Sequence, residues 1–359
     1  VIVYDHSEAQ LEKAKLGLEK VLNRLVEKER ITDNERKKIR ARMVFTPKIN
    51  ELWPCGLVIE AIVESIEIKH KVFQSLEDIV SEHCILATNT SSLSIASIGA
   101  SLKIAERIIG IHFFNPAPLM PLVEIIPSIQ TAEKTTTACK NLIANWGKTV
   151  VLCKDTPGFI VNRVARPFYG EALRIYEEGI ADFSTIDWAL TEIGGFRMGP
   201  FTLMDYIGND VNFAVTESVF KAFFYDPRFK PSFTQKRYAE AGYFGRKSGR
   251  GYYDYNDTNL NPKPQTDKVL GEKILNRILC LLINEAVDAV FMGVATAKDV
   301  DLAMTKGVNY PKGLLKWGDE IGLDKVLEQL QELFDYYGED RYRPNPLLRK
   351  MVLENKEFH

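Results

Sequence analysis

The sequence predicts an α/β domain on a mostly parallel sheet, followed by two related all-α units. Three observations carry this. Strand-like and helix-like patterns alternate through the first 153 residues. After Asp155 the strand pattern gives way to an almost wholly helical one that runs to about Val219. That helical stretch then recurs at a fixed shift of 114 residues. Short apolar strands alternating with amphipathic helices form a parallel sheet covered on both faces.

The strand candidates are Val1–Tyr4, Leu57–Ala61, Ile85–Thr88, Arg107–Phe113, Leu122–Ile126 and Thr149–Leu152. Helices are expected over Ser7–Lys28, Ile66–Val80 and Thr131–Trp146, the first from the helical spacing of Leu11, Ala14, Leu18, Val21 and Leu25. Asp155-Thr156-Pro157 has the capping residue and the proline of a helix start. The polar stretch Asp257–Thr266, with two prolines, is a linker candidate. In the repeat, Asn162-Arg163 falls on Asn276-Arg277, Glu171-Ala172 on Glu285-Ala286 and Asp187 on Asp301. Gly199, Asp205 and Gly208 fall likewise on Gly313, Asp319 and Gly322, and no gap is needed. The expected units are therefore residues 1–153 (sheet), 154–256 (helical), 257–267 (linker) and 268–359 (second helical copy). The second copy reads as structural, because it lacks the Pro-Gly before Asn276 and ends short of an equivalent of Lys247.

Composition narrows the function. A net charge of −2 with acids and bases intermixed gives no basic stripe for nucleic acid. No apolar run approaches the ~20 residues that span a membrane. Five scattered cysteines show no metal spacing and read as thiols of a reducing compartment, so a cytoplasmic protein without a metal is expected. The chain opens on the strand Val-Ile-Val-Tyr-Asp, which leads us to expect about 30 further residues upstream, carrying a Gly-x-Gly-x-x-Gly turn.

Asp5 ends that first strand. An acid in this position of a dinucleotide-binding sheet accepts hydrogen bonds from the adenosine ribose, and its charge favours NAD over NADP. Asn89-Thr90-Ser91-Ser92 follows a strand, at the end of a sheet where ligands bind, although for this run by itself a polar turn capping the next helix is the simpler reading. His112 lies inside an apolar strand, where a lone histidine is most often a satisfied core residue. Glu124, twelve residues on, sits in a second apolar strand. A buried carboxylate needs a partner, and the short Pro-rich connection between the strands lets these two groups pair. Such a pair fixes the imidazole tautomer and raises its basicity. Asn162, an amide on an apolar helix face, needs a partner that a substrate oxygen or a neighbouring backbone would supply. The loop Gly245–Gly251 is either a phosphate-approaching loop or a solvated basic one.

Together, Asn-Thr-Ser-Ser-Leu, His-Phe-Phe-Asn-Pro-Ala-Pro, Leu-Val-Glu-Ile-Ile and Asp-Thr-Pro-Gly-Phe-Ile-Val-Asn-Arg resemble the 3-hydroxyacyl-CoA dehydrogenase family in order and spacing, through about residue 255. The second helical copy resembles the family's longer bacterial form, which places an additional segment between the copies. The resemblance implies a Rossmann-like NAD-binding domain and NAD-dependent oxidation of a 3-hydroxyacyl-CoA, either 3-hydroxybutyryl-CoA or 3-hydroxyadipyl-CoA. It implies His112 as base, Glu124 as its orienting partner, and Ser91 and Asn162 as holders of the substrate oxygens. It also places Asp5, Glu64, Lys69, Ser91, Asn115 and Lys247 along the NAD site, and implies a homodimer. The alternatives are a free-acid β-hydroxyacid dehydrogenase, which uses a lysine base, and an NAD-binding protein that kept the fold without the chemistry.

Overall fold

Short β-branched runs become strands here, and the amphipathic stretches between them become helices. The computed structural model describes residues 1–359. Strand β1 (Ile2–Tyr4) leads into α1 (Glu8–Glu27), capped by Ser7, whose side chain accepts from the Gln10 N–H. Two elements then appear that the sequence reading passed over, α2 (Asp33–Ala41) and β2 (Val44–Thr46). The start of α2 carries a reciprocal capping box: the Thr32 N–H donates to Glu35 Oε2 at 2.7 Å and the Glu35 N–H to Thr32 Oγ1 at 3.2 Å. Strand β2 is only three residues long and pairs in parallel with β1, Ile2 opposite Val44.

The main sheet has five strands in the order β3 (Leu57–Glu60), β4 (Ile85–Thr88), β5 (Ile108–Phe113), β6 (Leu122–Ile126) and β7 (Thr149–Leu152). All neighbours are parallel except β5 and β6, which form an antiparallel pair. The β1–β2 pair is a separate sheet, and β3 is an edge strand of the main one. Helices α3 (Ile66–Ile79), α4 (Ile95–Gly99) and α5 (Glu133–Asn145) cover the strands.

The pleat decides where the chemistry faces. Ala87, Ile109, Ile111, Val123 and Ile125 point to one face and pack with Cys139 and Ile143 of α5. The alternate positions on the other face, Leu86, Ile108, Leu122 and Ile126, join the large core shared with the helical part. His112 and Glu124 stand in this second set.

Asp155 corrects one expectation. It does not cap a helix of its own; that helix, α6 (Val161–Val164), begins six residues later. Its carboxylate instead accepts from the Ile95 and Ala96 N–H groups at 3.0 and 2.8 Å, which ties the entrance of the helical part to α4.

The two helical copies keep the 114-residue shift element by element. Helices α8 (Phe183–Trp188), α9 (Pro200–Ile207) and α10 (Asn209–Ala222) start 114 residues before α13 (Ala297–Gly307), α14 (Leu314–Ile321) and α15 (Leu323–Tyr337). Asp187 accepts from the Phe201 and Thr202 N–H groups at 2.9 and 2.8 Å, and Asp301 from Leu315 and Lys316 at 2.8 and 3.0 Å. Gly199 and Gly313 allow this close approach, since a Cβ there would lie 2.4 and 2.3 Å from the aspartate Cγ. The second copy also completes its tail, contrary to the sequence reading. Tyr252 and Tyr253 donate their N–H groups to Asp205, and Phe358 and His359 do the same for Asp319. The connection in the second copy is shorter, which hid the correspondence.

Helices α6 and α7 (Arg166–Glu177) of the first copy and α12 (Lys268–Phe291) of the second join the copies by exchanged ion pairs. Arg163 Nε donates to Glu285 Oε1 at 2.7 Å, and Arg277 Nε to Glu171 Oε1 at 2.6 Å. The same shift converts Arg163 into Arg277 and Glu171 into Glu285, so each copy supplies what the other lacks, as at a two-fold interface. Between the copies, residues 257–267 lie tethered along the first: Asn261 bonds Asp254 in both directions, and the Gln265 N–H donates to Thr185 Oγ1.

Two outcomes follow. Arg277→Met strands a buried carboxylate and should destabilise the fold by about 3–5 kcal/mol, measured by urea unfolding; adding Glu171→Leu should recover part of the loss. Burial pushes the Asp187 carboxyl up to about 6 despite its hydrogen bonds to Thr202, Phe201 and Tyr253. The fold thus favours its protonated form, and that stability is present below pH ~4 and lost as pH rises through ~6. The unfolding free energy of Asp187→Asn should therefore depend less steeply on pH across this window than that of the wild type.

Candidate active site

In the antiparallel β5–β6 pair the register sets His112 directly opposite Glu124. Nδ1 of His112 lies 2.6 Å from Glu124 Oε2, with Glu124 fully buried and His112 only 6% exposed. The other carboxylate oxygen accepts the N–H groups of Ile160 and Val161 at 3.1 and 3.0 Å. The Pro157-Gly158 turn aims these donors. Gly158 has φ +72°, and a Cβ there would lie 2.9 Å from the Arg163 nitrogen. A carboxylate with only donors around it fixes the proton of His112 on Nδ1 and leaves the Nε2 lone pair free. The Phe114 and Phe159 rings flank the imidazole, with centroids at 4.5 and 5.9 Å.

The polar loop after β4 is held to this pair. Asn89 Oδ1 accepts the Phe113 N–H at 2.8 Å, next to His112. Asn162 Nδ2 points at the Ser91 carbonyl, 3.5 Å away. The structure thus gathers Ser91, His112, Glu124 and Asn162 where sheet and helical part meet. Glu64 holds the same loop through Thr90 Oγ1, Ser92 Oγ at 3.0 Å and the Ser91 N–H at 3.3 Å. Burial raises the Glu64 carboxyl, but Thr90, the Lys69 ammonium and Ser92 outweigh it and hold it below its usual value.

Two of the residues expected along the cofactor site are ion-paired within the protein. Lys69 is almost wholly buried, 2.7 Å from Glu60 Oε1 and 3.3 Å from Glu64 Oε2, so it acts on the site through Glu64 and offers no free ammonium. Lys247 is occupied within the helical part: its ammonium lies 2.6 Å from Asp210 Oδ1 and 5.3 Å from the Phe244 centroid. Asn115 is exposed just beyond β5, and Asp5 follows β1 with one carboxylate oxygen taken by the Ser7 N–H at 2.8 Å. Glu60, which also accepts from Thr88 Oγ1 and the Ile62 N–H, was passed over in the sequence, although an acid closing an otherwise apolar strand is a visible signal. A surface groove lined by Trp53, Cys55, Ile79 and Cys84 lies at the amino-terminal ends of β3 and β4, away from this edge.

Residues 1–156 match the family described as 3-hydroxyacyl-CoA dehydrogenase, NAD binding domain, and residues 158–255 and 274–357 match its C-terminal domain. The chain belongs to the 3-hydroxyacyl-CoA dehydrogenase family. It is an oxidoreductase of that family, with NAD as its cofactor. It is 36% identical to the 3-hydroxyadipyl-CoA dehydrogenase of Escherichia coli K12, over 98% of this chain and 92% of the relative. That alignment runs over 438 positions, so the relative carries residues for which these 359 have no counterpart. A crystal structure of 3-hydroxybutyryl-CoA dehydrogenase from E. coli K12 covers 99% of the chain and 93% of its own, at 35% identity and TM-score 0.93. The pig mitochondrial hydroxyacyl-coenzyme A dehydrogenase is 37% identical over 71% of this chain and 83% of its own.

The residues present fit one part of NAD and leave another unrepresented. Asp5 keeps one carboxylate oxygen free for ribose hydroxyls. Ile62 and Val63, exposed apolar residues just past β3, suit a flat ring. No Gly-x-Gly-x-x-Gly turn occurs among residues 1–359 for the diphosphate. No helix of the structure is long and apolar enough to cross a membrane.

Glu124→Leu would leave the N–H groups of Ile160 and Val161 without an acceptor. A destabilisation of about 2–4 kcal/mol is expected by thermal or urea unfolding, with the largest loss of hydrogen-exchange protection at residues 158–164.

Proposed function

We propose that this chain oxidises (3S)-3-hydroxyacyl-CoA thioesters to 3-ketoacyl-CoA, with His112 as general base. The observation that carries the reading is the 2.6 Å contact between His112 Nδ1 and a fully buried Glu124. Bound NAD supplies the hydride acceptor, with Asp5 and Glu64 on its side of the site. Nε2 of His112 takes the proton of the 3-hydroxyl as C3 is oxidised. Glu124 then stabilises the imidazolium and prevents the ring from turning. The Ser91 hydroxyl and the Asn162 amide hold the 3-oxygen and the thioester carbonyl. Phe114 and Phe159 exclude water from the ring.

The same reading divides the chain into a sheet unit through residue 153, helical copies 154–256 and 268–359, and the tether between them, and places it in the cytoplasm. A homodimer of this chain uses a surface other than α7 and α12, because those helices already pack on each other. Light scattering should then return twice the chain mass, with the Arg163–Glu285 and Arg277–Glu171 pairs unaffected by dilution.

His112→Gln should lower kcat with 3-hydroxybutyryl-CoA or 3-hydroxyadipyl-CoA by about 10²–10⁴-fold, followed as NADH absorbance, while the NAD dissociation constant changes by less than about threefold. A His112→Gln enzyme with near wild-type turnover would overturn the assignment.

A further inference from the structure

Five arginines are buried in this chain: Arg107, Arg163, Arg166, Arg277 and Arg341. Four are neutralised by carboxylates: Arg107 by Glu77, Arg163 by Glu285 and Asp288, Arg277 by Glu171 and Glu178, and Arg341 by Glu339. Arg166 is only 7% exposed and has none. Its Nε donates to the Asn162 carbonyl at 2.8 Å and its Nη1 to Thr216 Oγ1 at 3.2 Å. Of five N–H donors, three find no protein acceptor. An unpaired charge in such a position is costly, and a fold that neutralises every other buried cation leaves this one open.

The surroundings deepen the deficit. Arg166 opens helix α7, whose own N-terminus adds positive potential. Tyr169 lies beneath the guanidinium, 4.9 Å from ring centroid to Cζ. Tyr169 and Tyr310 are the titratable groups that act on its charge, and burial lowers its basicity below the usual guanidinium value. Tyr310, 6% exposed, is itself an orphan: its hydroxyl is enclosed without a hydrogen-bond partner. It comes from the second helical copy, with its ring against Phe168 and Phe196 at 5.7 and 5.0 Å. The segment leading to it also reaches the catalytic strands. A Cβ on Gly307 would lie 2.6 Å from Leu122 and 3.7 Å from Phe114, the ring that flanks His112.

We propose that Arg166 and Tyr310 bind a carboxylate at the far end of the acyl chain, so that the substrate is the CoA thioester of a short dicarboxylic 3-hydroxy acid. The proposal rests on the reading of Asn162 as a substrate contact. Arg166 follows it by one helical turn, about 5–6 Å along the axis, and is bonded to its carbonyl. A planar guanidinium fork matches a carboxylate in two-point contact, and the Tyr310 hydroxyl adds a third donor. The phosphates of CoA would offer the same charge, but they sit at the opposite end of a long pantetheine arm from the acyl terminus. Arg166 lies among Asn162, Thr216 and Tyr169 of the first copy, and Tyr310 of the second acts on its charge. The second copy is therefore part of the substrate site.

Adipyl-CoA and hexanoyl-CoA separate the possibilities. They have equal length, differ at the terminal carboxylate, and lack the hydroxyl needed for turnover. Titrated calorimetrically into the full chain, adipyl-CoA should bind at least about thirtyfold more tightly, the scale of a charge-assisted contact in an enclosed site. Arg166→Met should bring that ratio close to one, and Tyr310→Phe should reduce it severalfold. Arg166→Lys, which keeps the charge without the fork, should retain part of it. Arg166→Met should melt no lower than wild type, since it removes an unpaired buried charge, and adipyl-CoA should no longer raise its Tm. A wild-type ratio near one overturns the carboxylate site while leaving His112 chemistry intact. An equal loss for both thioesters in Arg166→Met also overturns it and assigns the arginine to CoA phosphate or to the fold. Failure of both thioesters to bind wild type would sink the acyl-CoA reading itself.

Discussion

The buried carboxylate of Glu124 is the constraint on which the rest of the site depends. It has no solvent to satisfy it, so the surrounding chain must supply donors. One comes from the strand opposite, as the His112 imidazole, and two come from the first turn of the helical part, as the Ile160 and Val161 N–H groups. A single side chain therefore fixes the imidazole ring and docks the two parts of the molecule at the same point. Asp155, bonded to the start of α4, makes a second tie close by. The angle between sheet and helices is set by these polar contacts, in a seam otherwise filled by apolar side chains that would tolerate sliding.

What could be read in advance was what depends on local pattern. The five strands of the main sheet are apolar runs between turn residues, and their limits follow the pattern closely. The pairing of His112 with Glu124 was legible because two buried polar groups in adjacent strands have few other partners. Strand β2 was not: three residues, one exposed, give no alternation to detect, and only its pairing with β1 makes it a strand. Asp155 was misread because a capping residue looks the same whether it caps its own helix or another 60 residues away. Lys69 and Lys247 carry the same charge in sequence, and only the fold shows that Glu60 and Asp210 already hold them.

Arg166 was invisible for a different reason. An arginine on an amphipathic helix is ordinarily a solvated one, and nothing local marks its burial. Tyr310, which acts on its charge, lies 144 residues further on, in the copy that the sequence assigned a purely structural part. The names of the relatives leave the acyl group open, one specifying hydroxyadipyl and another hydroxybutyryl. Those acyl groups differ by a terminal carboxymethyl group, and the pairing state of a single buried guanidinium is the physical quantity that bears on its charge.

The exchanged Arg163–Glu285 and Arg277–Glu171 pairs have a consequence for evolution as well as for stability. When two equivalent halves are encoded in one chain, the tether holds them at a fixed local concentration, of the order of millimolar for a short linker. Their contact survives any dilution of the protein. It also ends the obligation that both halves stay identical, which symmetry imposes on two separate copies. One half can keep the residues that meet the sheet while the other changes residue by residue, so a covalent pseudo-dimer can vary one half without altering the other.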